Sequence, residues 1–136
     1  MKEAFVAAMQ QGYTHKGASF KIGVAKYDGA PVAECGINIP LKMMNRHGLI
    51  AGATGTGKTK TLQMIAEGLS ANGVPVMLMD IKGDLSGMAA PGKLNGFIEE
   101  RYGIMGETYN PTGFPVELLT ISKEKGARMR ATVTEF

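Results

Sequence analysis

The stretch that decides the fold is HGLIAGATGTGKT, residues 47–59, where a short apolar run leads into a glycine-rich turn. Residues 52–59 fit the pattern G-x4-G-K-S/T at every fixed position. Glycines allow positive φ and let main-chain N–H groups approach an anion closely. A helix that begins near Lys58 directs the positive end of its dipole to the same point. The stretch therefore predicts a phosphate-binding P-loop (Walker A motif) between a buried strand and a helix.

The same chemistry assigns roles to single residues. Lys58 is predicted to act in catalysis as a mobile cation for the β- and γ-phosphates, and the Thr59 hydroxyl is predicted to bind Mg²⁺. The chain lacks an N-K-x-D motif for guanine, so we expect ATP rather than GTP. The residues predicted to contact the nucleotide are Gly52, Thr54, Gly55, Thr56, Gly57, Lys58, Thr59 and Lys60.

The residues that follow complete one βαβ unit. Apolar residues recur at i, i+3, i+4 and i+7 within 58–71, which predicts an amphipathic helix that stops at Asn72-Gly73. The run VPVMLM at 74–79 is typical of a buried parallel strand. Strand, helix and strand within residues 47–80 predict an α/β P-loop NTPase fold with a parallel sheet flanked by helices, which we expect to be incomplete within this chain.

A second candidate site lies in Asp-Ile-Lys-Gly-Asp, residues 80–84, directly after the second predicted strand. Ligands bind outside the carboxyl ends of parallel strands, so we expect Asp80 to lie near the P-loop. Asp80 is a candidate catalytic residue that holds Mg²⁺ through water or orients the attacking water, and Asp84 is a candidate metal ligand beside Thr59. The alternative for both acids is that they cap the turn or the helix after it.

Weaker patterns surround this unit. We predict an N-terminal element in residues 1–46, made of a helix and a β hairpin, and the first part of a P-loop nucleotide-binding domain in residues 47–136. The further predicted elements are a helix within 1–16, hairpin strands at 19–26 and 31–39 joined by a turn at 27–29, a helix at 94–102 and a third core strand at 115–121. Cys35 is expected to be a small buried apolar residue of its strand.

Composition limits the class of protein. With 136 residues, 44% apolar and 20% charged, the chain suits one folded domain and not a disordered segment. A single cysteine excludes an intramolecular disulfide, and no apolar stretch approaches the ~18 residues of a membrane span. We therefore expect a cytoplasmic protein without a membrane partner. The net charge of +3 is compatible with an anionic partner but does not require one.

Residues 45–59, NRHGLIAGATGTGKT, together with MDIKGDLSG at 79–87, resemble the HerA-like ATPases of the YjgR type, in the HerA/FtsK superfamily of DNA-pumping motors. The resemblance runs from about residue 17 to the end of the chain. It implies a helicase or translocase that couples ATP hydrolysis to work on DNA within a homo-oligomeric, hexameric ring. It also implies that this chain is the N-terminal portion of a longer motor, whose acidic catalytic strand and arginine finger follow Phe136.

Two other functions fit the motif. A small P-loop phosphotransferase (kinase) needs a lid with arginines around a second substrate, and only Arg101, Arg128 and Arg130 are available. Arg128 and Arg130 are also candidates for an arginine finger, although the residues alone do not assign one. A non-hydrolysing nucleotide-binding protein needs a base-recognition motif, and none is present.

Overall fold

The computed structural model describes residues 1–129. In chain order, the elements are α1 (Lys2–Tyr13), β1 (Ser19–Tyr27), β2 (Ala30–Pro40), a 3₁₀ turn (Leu41–Met43), α2 (Lys58–Ala71), a 3₁₀ turn (Ser86–Ala89), α3 (Gly96–Ile104), β3 (Leu119–Thr120) and β4 (Ala127–Arg128). No helix in this part of the chain is both long enough and apolar enough to cross a lipid bilayer.

The predicted hairpin is confirmed. β1 and β2 pair antiparallel, from Ser19 opposite Pro40 to Tyr27 opposite Ala30. The two residues between the strands, Asp28 and Gly29, have φ values of 49° and 78°. Positive φ at both central positions is what a type I′ turn requires, and an Asp-Gly pair adopts it at low cost.

The core lies where two helices meet this hairpin. α1 packs on β2, and α2 packs on β1. Cys35 is only 1% exposed in β2, which confirms its prediction as a small buried residue. Gly68 lies against the ring of Phe20, so close that a Cβ at this position would overlap the ring. The buried apolar residues are Phe20, Val32, Cys35, Ala66, Leu69 and Leu85.

The helices agree with prediction to within a few residues. α2 spans the predicted residues 58–71, and Asn72 is its C-cap. Gly73, at φ 74°, closes the last turn, and the Val74 N–H donates to the Leu69 carbonyl at 3.0 Å. α3 begins two residues later than predicted because Asn95 is its N-cap, with its side-chain oxygen accepting the Ile98 N–H at 3.0 Å.

The predicted parallel sheet around the βαβ unit is not formed. Within residues 1–129, the sheets are the β1–β2 hairpin and a two-residue parallel pairing of β3 with β4. Residues 47–51 and 74–79 belong to neither sheet. A continuous apolar run indicates burial but supplies no neighbouring strand to hydrogen-bond with, and Leu49 and Met79 are 89% and 82% exposed. The described chain is α/β, without a complete P-loop NTPase fold.

The end of the chain is also less regular than predicted. The strand expected at 115–121 is reduced to Leu119–Thr120, which pairs with Ala127–Arg128. The candidate Arg130 lies outside the described residues. α2 packs on β1 across the predicted boundary between residues 46 and 47, and that division into two domains stays a prediction.

Candidate functional site

The glycine-rich loop, residues 52–59, is a tight turn that precedes α2. Gly55 and Gly57 have φ values of 80° and 93°, in the region that favours glycine. The Thr56 hydroxyl donates to the Ala53 carbonyl at 2.8 Å and closes the turn. A Cβ on Gly52 would lie 2.6 Å from that hydroxyl oxygen, so the turn needs glycine there.

The first turn of α2 opens onto this loop without a side-chain cap. Gly57 occupies the N-cap position and has no side chain that could accept a hydrogen bond. The first N–H groups of any α-helix lack partners within the helix, and they carry the positive end of its dipole. The loop and the start of α2 therefore present amide donors suited to an anion.

Lys58 lies at the same point. Its Nζ donates to the Ala53 carbonyl at 2.7 Å, so the ammonium folds back over the glycine-rich loop. A phosphate group is a stronger partner than a neutral carbonyl, because the hydrogen bond is then between two charges. The lysine can exchange its loop contact for a contact with a bound phosphate.

The structure brings the two predicted sites together. Thr59, in the first turn of α2, lines a cleft of about 240 Å³ that is also lined by Asp80, Lys82 and Asp84. The expected proximity of Asp80 to the start of α2 is thus present, although the strand predicted to place it there is not paired. We call residues 80–85 the Asp80 loop.

The Asp80 carboxylate organises its own loop. Oδ1 accepts the N–H groups of Lys82, Gly83 and Asp84 at 3.1, 2.8 and 3.3 Å, and Oδ2 accepts that of Leu85 at 2.9 Å. The hydrogen bond from the Leu85 N–H has the largest effect, and together the four bonds hold the pKa of the Asp80 carboxyl below its ordinary value. This geometry is that of the alternative in which Asp80 caps the turn that follows it. The catalytic role of Asp80 stays a prediction.

Asp84 joins the network through its main chain. Its N–H donates to Asp80, and its carbonyl accepts the Gln63 side-chain amide at 3.0 Å. No three His, Cys, Asp or Glu residues within 1–129 lie close enough together to hold a metal ion. A cation beside Thr59 and Asp84 would therefore complete its coordination with phosphate or water oxygens.

Gln63 is a residue that the sequence patterns missed. It is 8% exposed on α2, where its carbonyl oxygen accepts the Lys60 Nζ at 2.9 Å while its amide binds the Asp84 carbonyl. The available signal was a polar residue beside the apolar positions of an amphipathic helix.

Further along α2, burial raises the pKa of the Glu67 carboxyl, and the nearby Lys60 charge acts in the opposite direction.

The fold and the site define an α/β chain with a candidate phosphate-binding loop at a helix N-terminus. Residues 26–136 match a family model described as the helicase HerA-like C-terminal domain. The match covers most of the chain, so the protein belongs to the HerA-like family. The description is of a C-terminal domain, and it does not bear out the prediction of an N-terminal portion. No curated protein and no solved structure matches the chain.

Proposed function

We propose that the glycine-rich loop binds ATP·Mg²⁺ and that the chain is the nucleotide-binding part of a HerA-like ATPase. The observation that carries this proposal is the start of α2, which has no side-chain cap and has the Lys58 ammonium over the adjacent loop. The match of residues 26–136 to the HerA-like family supports it. The amide donors and the ammonium group fit the phosphates of a nucleoside triphosphate. The residues that would contact the phosphates are Gly52, Thr54, Gly55, Thr56, Gly57, Lys58, Thr59 and Lys60.

The donors near the cleft also fit Mg²⁺. Thr59 offers a hydroxyl and Asp84 a carboxylate, both hard oxygen ligands on the wall of one cleft. When bound, Mg²⁺ would neutralise part of the phosphate charge. Thr59 and Asp84 would hold the ion, and Lys58 would follow the phosphates.

We further propose that the intact protein couples ATP hydrolysis to work on DNA, as a homo-oligomeric, hexameric ring in the cytoplasm. Membership of the HerA-like family supports this proposal. The resemblance of residues 45–59 and 79–87 to the YjgR type supports the narrower assignment within that family.

Replacing Lys58 tests the phosphate-binding proposal. We expect Lys58→Ala to lower the affinity for ATP·Mg²⁺ by at least about tenfold, because a charge and its hydrogen bonds are lost together. Isothermal titration calorimetry with ATP·Mg²⁺ measures this directly. Lys93→Ala, at an exposed position outside the loop, removes the same charge and should leave the affinity unchanged. Equal affinities for the wild type and Lys58→Ala would refute the proposal.

A further inference from the structure

We infer that Gln63 is a positioning residue that holds Asp84 in place for the Mg²⁺ of bound ATP·Mg²⁺. This inference rests on the proposed function, since it assigns the residue that orients one of the two proposed metal ligands. It stands on three features of the structure: the hydrogen bonds within the Asp80 loop, the attachment of the loop to α2, and the burial of Gln63.

The Asp80 loop is held together by hydrogen bonds to a single carboxylate. Four consecutive N–H groups, those of residues 82–85, converge on one carboxylate. Such charge-assisted bonds fix the loop internally. They do not fix where the loop lies relative to Thr59, because all four partners belong to the loop itself.

The position of the loop is set by its contacts with α2. The Gln63 side-chain amide donates to the Asp84 carbonyl at 3.0 Å, which links α2 to the very residue proposed to bind the metal. Leu85 is 6% exposed and anchors the next position of the loop. Gln63 therefore holds the main chain of Asp84 at the cleft that Thr59 also lines.

Gln63 is itself held on both sides. Its side-chain oxygen accepts a hydrogen bond from the Lys60 ammonium at 2.9 Å, and the residue is 8% exposed. A buried amide with both ends bonded has one orientation, because turning it over would place donors against Lys60 and an oxygen against a carbonyl. Outer residues that orient a metal ligand in this way affect metal affinity without touching the ion.

The test separates the Mg²⁺-dependent part of ATP affinity from the rest. Calorimetry measures ATP binding with Mg²⁺ and with EDTA for the wild type, Gln63→Leu and Gln63→Met. We expect the gain in affinity from Mg²⁺ to fall about tenfold in both variants, while the affinity in EDTA stays within about twofold of the wild type. Gln11→Leu, the same change at an exposed position on α1, should behave as wild type.

Two further measurements complete the test. Without nucleotide, hydrogen exchange at the amides of Asp84 and Leu85 should be roughly three- to tenfold faster in the Gln63 variants, because the anchor of the loop is lost. In an Asp84→Asn background, Gln63→Leu should cause no further loss of the Mg²⁺ gain, because the two residues act through one interaction.

The outcomes distinguish this inference from the proposed function. A wild type that binds no ATP overturns both. ATP binding with an unchanged Mg²⁺ gain in the Gln63 variants overturns the role of Gln63 alone. Equal losses with Mg²⁺ and in EDTA also overturn it, because they indicate a general disturbance of α2.

Discussion

At the scale of single residues, Asp80 shows how one side chain can build a loop. Its carboxylate replaces the partners that four consecutive amides would find in a helix or a sheet, and it does so at an exposed position. The loop then depends on the charge state of one group. An acid that caps a loop has a depressed pKa, and an acid that serves as a general base needs a pKa nearer neutral.

The pH dependence of the loop tests whether Asp80 acts as a capping residue. The pKa of Asp80 is lowered in the folded chain, so its contribution to stability is present above the ordinary carboxyl pKa. That contribution is lost as the pH falls through the lower, folded value. We expect an NMR titration of the Asp80 carboxyl to give a midpoint below that of a model peptide. A midpoint at or above the peptide value would contradict the hydrogen bonds to the Asp80 carboxylate.

Asp80→Asn should open the loop at neutral pH, since the amide side chain keeps one acceptor oxygen in place of two. The measurement is hydrogen exchange at residues 82–85, which should become faster at several of these amides. Asp84→Asn is the matched control, because the Asp84 bonds within the loop come from its main chain. Faster exchange in the control alone would contradict the assignment.

Residue by residue, the sequence predicts the parts of the site that depend on local chemistry. The glycines of the loop, Lys58 and Thr59 follow from a motif because their roles are set by neighbours a few positions away. Gln63 does not, because its partner is the main-chain carbonyl of Asp84, 21 residues further along. Every residue has a main-chain carbonyl, so the sequence does not indicate which carbonyl the Gln63 side chain binds.

At the scale of elements, helices were predictable and unpaired strands were not. α2 begins and ends where its glycines and apolar spacing indicate, because a helix forms its hydrogen bonds within a few residues. The hairpin was predictable for the same reason, since its turn joins strands close in sequence. Residues 47–51 and 74–79 needed a partner strand that a local pattern does not specify.

The packing of α2 on the hairpin gives a prediction at this scale. Gly68→Ala should lower the free energy of unfolding by about 1–3 kcal/mol, since its methyl group would overlap the Phe20 ring. Helix propensity alone predicts a gain of up to about 1 kcal/mol. Gly103→Ala in α3, where a Cβ meets nothing within 4 Å, should show that gain. Urea unfolding distinguishes the two, and stabilisation by Gly68→Ala would contradict the packing.

At the scale of the whole molecule, the apolar runs predicted as strands face outward. Leu49, Met77 and Met79 are 89%, 60% and 82% exposed, and Ile121 is 86% exposed. Soluble monomers rarely expose large contiguous apolar patches, and such patches are typical of contacts with other chains. Within residues 1–129, these runs are therefore not buried as the sequence predicts.

We expect the chain to self-associate through these runs. Sedimentation velocity over a range of concentrations should show species larger than the 14.4 kDa monomer. Leu49→Lys combined with Met79→Lys should shift the chain toward monomer, because burying an unpaired ammonium opposes association. Leu94→Lys changes a residue that is 54% exposed but lies outside the predicted strands, and it should leave association unchanged.

A wild type that is monomeric at all concentrations would show that the exposed apolar runs are tolerated in water. Equal effects of all the substitutions would show that added charge alone disperses the chain. Loss of association only in the double variant would identify the surface through which copies of the chain meet.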